Sequence, residues 1–333
     1  MEQIKSPLAA RNVPPGLKSC VIHGYDNWHD AIAEGRHDFF TKLTPHLAEN
    51  GLTPFLAEGN SRASRALLTE DHFHLIVGGP AMYGPTILHA FPSYLWGFWY
   101  LDELGHGYNS SLRFARYSPQ YSPDTADREA AEYFFNGVTG YMLRENISKL
   151  RQEPRLDAPL RIATATILCQ LTETDTPGSH YLSTEQMIDT AATFDREALV
   201  YVKPHPEQSK KGRRRIVEIC QNHPNVKLTD ASIHDLIQAA RVVITQNSSA
   251  GFEALMQKKP VITCGKSDYW QATLTPRTVA ELHAAIEAGP ETMASFDYEG
   301  YFHWFLEQQC LEPAKANFLP RAWARIKDKL LLS

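Results

Sequence analysis

The chain has 333 residues, 43% apolar and 11% aromatic, enough to bury the cores of two domains of ordinary size and too apolar for a disordered protein. Its net charge of -5 excludes a general affinity for nucleic acid, and nowhere do about 18 apolar residues run together as a membrane-spanning helix requires. Five cysteines, Cys20, Cys169, Cys220, Cys264 and Cys310, are scattered without paired spacing, the usage of small core residues in a reducing compartment.

The opening "MEQIKSPLAARNVPPG" lacks the apolar stretch of a secretion signal, so a soluble cytoplasmic protein is expected. "SCVIHGYD" predicts a strand ending at Gly24, and "HDFFTKLTPHLAENG" a helix stopped by Gly51. "LTPFLAEG" and "HFHLIVGGP" predict two more strands, the second closed by glycines. "YLWGFWYLD" predicts an aromatic strand whose end carries Asp102 and Glu103 into a glycine-bearing loop. A long helical pattern follows, its cap expected at Ser122 to Asp124.

The polar, proline-bearing "RQEPRLDAPL" marks a boundary, after which strands and helices alternate more regularly: "RIATATILCQL", "TEQMIDTAATF", "ALVYVKPHP", a basic helix, "NVKLTD", "SIHDLIQAA", "RVVITQ", a helix from Ser248, and "PVITCG". Two such series predict two Rossmann-like α/β domains with parallel sheets facing across a cleft, with ligands beyond the carboxyl ends of the strands. The expected division is 1–155 on the acceptor side, 156–290 for nucleotide-sugar binding, and C-terminal helices over 291–333 broken at Pro320. Those helices pack on a domain or, as the alternative, turn Trp323, Arg325, Lys327 and Lys329 to a membrane surface. The run Lys210, Lys211, Arg213, Arg214 and Arg215 reads as a solvated helix face, or as a patch steering an anionic donor, acceptor or membrane.

Four stretches carry candidate chemistry. In "ITQNSSAGFEAL" Ser248 or Ser249 caps a helix whose first N–H groups suit a phosphate, and Glu253 suits ribose hydroxyls; the bland reading is an ordinary N-cap. In "KPHP" two prolines stiffen a strand end, so that His205 can hold a phosphate oxygen or protonate a leaving group while Lys203 adds charge. "CQLTETDTPGSH" offers Glu173 and Asp175 as nucleophile or base, or as caps for the helix near Ser183. "YLDELGHGYNSSLRF" offers Asp102 or Glu103 as a second carboxylate, and two carboxylates suit glycosyl transfer.

Together, "GFWYLDELGHGYNSSL", "ILCQLTETDT", "VYVKPHP" and "LTDASIHDLIQAARVVITQNSSAGFEALMQKKPVITCGKSDYW" resemble, in order, the bacterial capsule polysaccharide β-Kdo transferases, retaining enzymes that use CMP-Kdo. The pattern Gln246, Ser248, Glu253 is also similar to part of the bacterial sialyltransferases. The resemblance implies a GT-B fold and transfer of Kdo to a saccharide or glycolipid acceptor, with no metal and no other cofactor. It implies that His205, Ser248 and Ser249 hold the CMP phosphate, with Glu253 on the ribose or the local loop. Asp175, the acid of the segment starting at Gln170, is implied as nucleophile, and Glu103, with Asp102 as the alternative, as the acid or base serving the acceptor. A peripheral contact with the inner membrane or with a polysaccharide assembly complex belongs to the same expectation.

The chain departs from that family's pattern in two places. Glu103 stands where a proline usually follows the strand-end Asp, and Trp270-Gln271-Ala272 stands where Gly-Trp-Gly follows the tyrosine equivalent to Tyr269. One catalytic module is present where some relatives carry two, so a single linkage type is expected. Alternative readings are another CMP- or UDP-sugar transferase or epimerase, and a glycan-binding protein without catalysis.

Overall fold

The computed structural model describes residues 1–117 and 127–331, so the cap expected at Ser122 to Asp124 lies outside the described residues. The chain forms two compact units: Met1–Ser93 with Gly97–Ser111 and Leu306–Ser333, and Tyr94–Trp96 with Leu112–Phe305.

The first unit is built on β1 (Glu2–Ile4), β2 (Lys18–Gly24), β3 (Leu52–Glu58), β4 (Phe73–Val77), β5 (Ile87–Pro92) and β6 (Trp99–Asp102), in the order β1-β3-β2-β4-β5-β6. All neighbours are parallel except β5 and β6. Only residues 93–98 join that last pair, too few for a crossover, so a hairpin is forced where a parallel series was expected. Helices α1 (Leu8–Arg11), α2 (Trp28–Ala33), α3 (Asp38–Glu49) and α4 (Arg62–Leu67) flank the sheet. The apolar stripe of α3, with Phe39, Phe40, Leu43 and Leu47 buried, closes one face.

The C-terminal helix, Phe318–Leu331, packs on that stripe through Phe318, Ala322 and Ile326. Pro320 does not break it, because it occupies the first turn, where no intrahelical N–H bond is needed. Its polar residues are spent on the same unit. Arg325 donates to the carbonyls of Leu101, Gln308 and Gln309, Lys329 pairs with Glu103, and Trp323 packs against the core. Three of the four side chains expected at a membrane surface are therefore held within the unit.

The second unit carries α5 (Arg128–Arg144), β7 (Ala163–Leu168), α6 (Thr172–Asp175), α7 (Thr184–Phe194), β8 (Val200–Lys203), α8 (Lys210–Gln221), β9 (Val226–Leu228), α9 (Ile233–Ala239), β10 (Ala240–Thr245), α10 (Ser249–Leu255), β11 (Val261–Thr263), α11 (Val279–Thr292) and α12 (Tyr298–Phe302). Its sheet runs β11-β10-β7-β8-β9, parallel throughout, with buried β-branched strands under helices on both faces. Two Rossmann-like α/β units in one chain are the composition of the GT-B class, as expected.

The units divide differently from the sequence boundaries. Residues 128–155 belong to the second unit: Phe135 packs on Phe302, Asp127 caps α5, and Arg155 pairs with Asp235 at 2.5 Å. A proline-bearing stretch marks a loop, and side-chain contacts invisible in composition decide which core it joins. All five cysteines are buried and none forms a disulfide among the described residues, where no helix is long and apolar enough to cross a membrane.

Candidate functional site

In the second sheet Leu168, Lys203 and Thr245 stand side by side at the carboxyl ends of β7, β8 and β10. The "CQLTETD", "KPHP" and "QNSS" stretches therefore emerge from one edge, with β7 between the other two strands. A cavity of about 240 Å³ opens there, in the position where parallel α/β sheets hold ligands. Its wall includes Gln170, Lys203, His205, Ser248, Ser249 and Glu253.

His205 is half-buried between Pro204 and Pro206. Its Nδ1 accepts the Glu207 backbone N–H at 3.2 Å, so a neutral ring carries its proton on Nε2. Burial lowers its pKa, partly offset by the charges of Glu207 and Asp175, which brings Asp175 within electrostatic reach of the ring. Ser248 is the N-cap of α10, its Oγ accepting from Ala250 N at 3.1 Å, so the capping reading holds for it. The Ser249 hydroxyl lines the cavity without a hydrogen-bond partner among the described residues. Gly251 is required by close packing: a Cβ there would meet Thr245 Cγ2 at 2.7 Å and the Tyr269 hydroxyl at 2.8 Å.

Glu253 is the most constrained group. It is fully buried, and its Oε1 accepts from Ser148 Oγ at 2.9 Å and Lys149 N at 3.4 Å. Its Oε2 has no partner among the described residues. Burial pushes its pKa up to about 8, against the pull of these donors and of the Lys149 charge, so at neutral pH it is largely a protonated acid. Lys149 reaches solvent yet has protein crowded round its ammonium, which lowers its pKa to about 8. Glu253 is among the residues of the cavity wall, and its unpartnered carboxyl oxygen is an unmet hydrogen bond buried at that wall.

Other expected residues turn elsewhere. Lys203 lines the cavity, but its Nζ donates to the carbonyls of Asp230 and Ala231 at 2.8 and 2.7 Å, bracing that loop with two of its three donors. Gln246 is buried outside the cavity wall, its Nε2 on Glu173 Oε1 and the Leu182 carbonyl while its Oε1 has no partner among the described residues. Glu173 caps α7, accepting from Thr184 N and Oγ1, both at 2.7 Å. Asp175 ends α6, exposed, with Thr174 Oγ1 on its Oδ1 at 2.8 Å; it is near His205 but not in the cavity wall.

In the first unit Asp102 is buried and saturated. Its Oδ1 accepts from the N–H groups of Leu104, Gly105 and Ser111, and its Oδ2 from Ser111 N and Oγ. Glu103 is 47% exposed and pairs with the buried Lys329 at 3.0 Å. Of these two carboxylates only Glu103 keeps an accessible oxygen.

Sequence reasoning missed Ser148, Lys149 and Gln152, which wall the cavity from the segment after α5. That segment is tied down by Gln152 Oε1 accepting from Ile233 N and by Asn146 Oδ1 accepting from Ser232 Oγ. The one signal was Glu253 itself, since an acid among apolar helix neighbours demands a partner without saying where it comes from.

Comparison with known proteins narrows the class. The capsule polysaccharide biosynthesis protein family matches residues 170–299, less than half of the chain but all of the cavity's strand-end motifs from Gln170 onward, so the resemblance read from the motifs is borne out there. Protein FixF of Sinorhizobium fredii is 37% identical over 84 residues, 25% of this chain and 20% of that relative, so the chain spans only a fifth of its length. Among solved structures, Thermosulfurimonas dismutans KpsC, described as a β-Kdo 2,7 transferase, aligns with TM-score 0.49 at 18% identity over 81% of this chain and 90% of that one. The KpsC β-Kdo 2,4 transferase of the same organism aligns with TM-score 0.45 at 21% identity over 74% and 86%.

Proposed function

We propose that the protein is a retaining glycosyltransferase of capsule polysaccharide synthesis that moves Kdo from CMP-Kdo to a saccharide or glycolipid acceptor. The observation that carries this reading is the cavity walled by His205, Ser249 and Glu253 within the family-matched segment, with Glu253 Oε2 buried and unpartnered among the described residues. In this reading the His205 Nε2 proton and the Ser249 hydroxyl hold the CMP phosphate, and Glu253 Oε2 takes a ribose hydroxyl. Asp175 attacks the anomeric carbon as the bond to the phosphate oxygen breaks, the electron pair leaving with CMP. The acceptor hydroxyl then displaces the carboxylate and loses its proton to a base, which we assign to Glu103. Two displacements retain the anomeric configuration.

The test is a panel of CMP- and UDP-linked sugars, with CMP binding followed by calorimetry. Turnover of CMP-Kdo alone, abolished in Asp175→Ala with CMP binding unchanged, supports the reading. Turnover only of UDP-sugars, or an Asp175→Ala variant that transfers normally, overturns the donor or the nucleophile respectively.

A further inference from the structure

We propose that three exposed cations at the start of α8, Lys210, Lys211 and Arg214, form a collar that draws an anionic, phosphate-bearing nucleotide toward the cavity. The inference rests on the reading of the cavity as a nucleotide site.

The basic run of the sequence divides in the structure. Arg213 is spent on Asp230 at 2.6 Å and Arg215 on Glu185 at 2.6 Å. Lys210, Lys211 and Arg214 are exposed and form no ion pair or side-chain hydrogen bond among the described residues. They occupy the first turn and a half of a twelve-residue helix that has no acid in its first turn. Positive charge there opposes the helix dipole, which favours carboxylates at that end. A sequence that concentrates cations where they are locally unfavourable, without partners to offset them, points to an anion from outside.

The position of the collar follows from the topology and from one chain of contacts. A helix after a parallel strand starts at the strand's carboxyl end, so the first turn of α8 shares the sheet edge with the cavity. Ser209 caps α8 only two residues after Glu207, which is itself in the cavity wall. Arg213 holds the Asp230 carboxylate, and the Asp230 carbonyl holds Lys203 Nζ, also in the wall. The acids of the same edge are Glu207, Asp175 and Glu173, the last capping α7, with Asp230 already paired and Glu153 within electrostatic reach of Lys203. On a protein of net charge -5 these three unpaired cations, clustered on one helix start, are the positive charge an anionic ligand would meet on approach.

The experiment measures CMP association by stopped flow in the full chain and in a variant with Lys210→Gln, Lys211→Gln and Arg214→Gln together. At about 20 mM salt, where the screening length exceeds the reach of these side chains, the variant is expected to associate roughly tenfold more slowly. At about 0.5 M salt the two rates converge to within about twofold. Thermal melting of the variant is expected to match or exceed that of the parent, since the lost charges oppose the dipole. Equal association rates at low salt overturn the collar while leaving the nucleotide site standing. Absence of CMP binding by the parent at either salt removes the site and the collar with it. Salt-sensitive sedimentation of the parent, but not the variant, with phosphatidylglycerol vesicles, alongside unchanged CMP rates, assigns the cations to a membrane surface and overturns the proposal.

Discussion

The two units treat the polar groups of their sheets in opposite ways. In the first, His23 Nδ1 meets Ser64 Oγ at 2.7 Å, His23 Nε2 meets His74 Nδ1 at 3.1 Å, and His74 Nε2 meets the Glu70 carbonyl at 3.2 Å. Asp102 is saturated, whereas Glu103 pairs with Lys329 through one oxygen and keeps the other accessible. In the second, Glu253 keeps one carboxyl oxygen open, Ser249 keeps its hydroxyl, and Asp175 is exposed. Buried polar groups that satisfy one another rigidify a fold, whereas open groups in a cavity await a ligand. On this view the fully paired carboxylates and imidazoles are structural, and those that keep an open atom, Glu103 Oε1 included, are for binding and chemistry.

The largest effect that would break the comparison concerns Asp102 and Glu103. Asp102→Ala leaves the N–H groups of Leu104, Gly105 and Ser111 without their acceptor, and is expected to cost about 3 kcal/mol or more in urea unfolding. Glu103→Gln, which keeps an acceptor for the buried Lys329, is expected to cost about 1 kcal/mol or less. If the two lose equal stability, Asp102 is not the structural member.

Protonation gives the units opposite slopes. Glu253 holds its proton up to about 8 when folded and releases it above 4.5 when unfolded, so its contribution is full below 4.5 and lost as pH rises toward 8. Glu253→Gln removes that loss and is expected to stabilise the second unit by about 2 kcal/mol at neutral pH while weakening CMP binding, measured by hydrogen exchange in β7 and β10 and by calorimetry. A Gln variant that is less stable at pH 7 would show that the carboxyl is ionised and paired there.

His23 runs the other way. Burial, with the charges of His74 and His72, holds its pKa near 3, whereas the unfolded ring titrates near 6.5. Its contribution is present above 6.5 and falls as pH drops toward 3, by about 1.4 kcal/mol per pH unit. Exchange protection in β2 and β4 should therefore fall between pH 6 and 4 while that of β7 and β10 does not follow the same slope. Parallel loss in both units would end the contrast.

Much of the fold was legible because period and punctuation suffice for buried strands: β2, β3, β4 and most of the second series fall where apolar runs end in Gly, Pro or a cap. The short β1 and the hairpin partner β5 carry too little pattern to stand out. His205, Ser249 and Glu253 were legible because strand ends of a parallel sheet converge. The bonds that Lys203 makes to the Asp230 and Ala231 carbonyls and Gln246 to Glu173 and the Leu182 carbonyl were not legible, because a side chain's direction depends on which acceptors lie nearby and sequence does not display those. The wall formed by Ser148, Lys149 and Gln152 comes from a loop whose position is set by long-range bonds to Ser232, Ile233 and Glu253.

The smallest effect tests the rule inside the second unit. Gln271, part of the departure from the Gly-Trp-Gly pattern, donates from Nε2 to the Ala115 carbonyl at 2.8 Å and accepts from Tyr117 N at 2.8 Å. Beside it, Trp270 Nε1 donates to the Arg113 carbonyl at 3.0 Å. Both side chains thus serve as backbone mates for the 113–117 segment, which a Gly-Trp-Gly sequence could not provide in the same way. Because the Gln271 amide is paired at both ends and lies outside the cavity wall, the comparison assigns it to structure although it sits in the family-matched region. Gln271→Ala is expected to cost about 1 kcal/mol, with faster exchange at Ala115 and Tyr117 and unchanged CMP affinity. A fall in CMP affinity without a change in exchange would mean that a fully paired side chain can still belong to the binding machinery, and pairing would no longer separate the two classes.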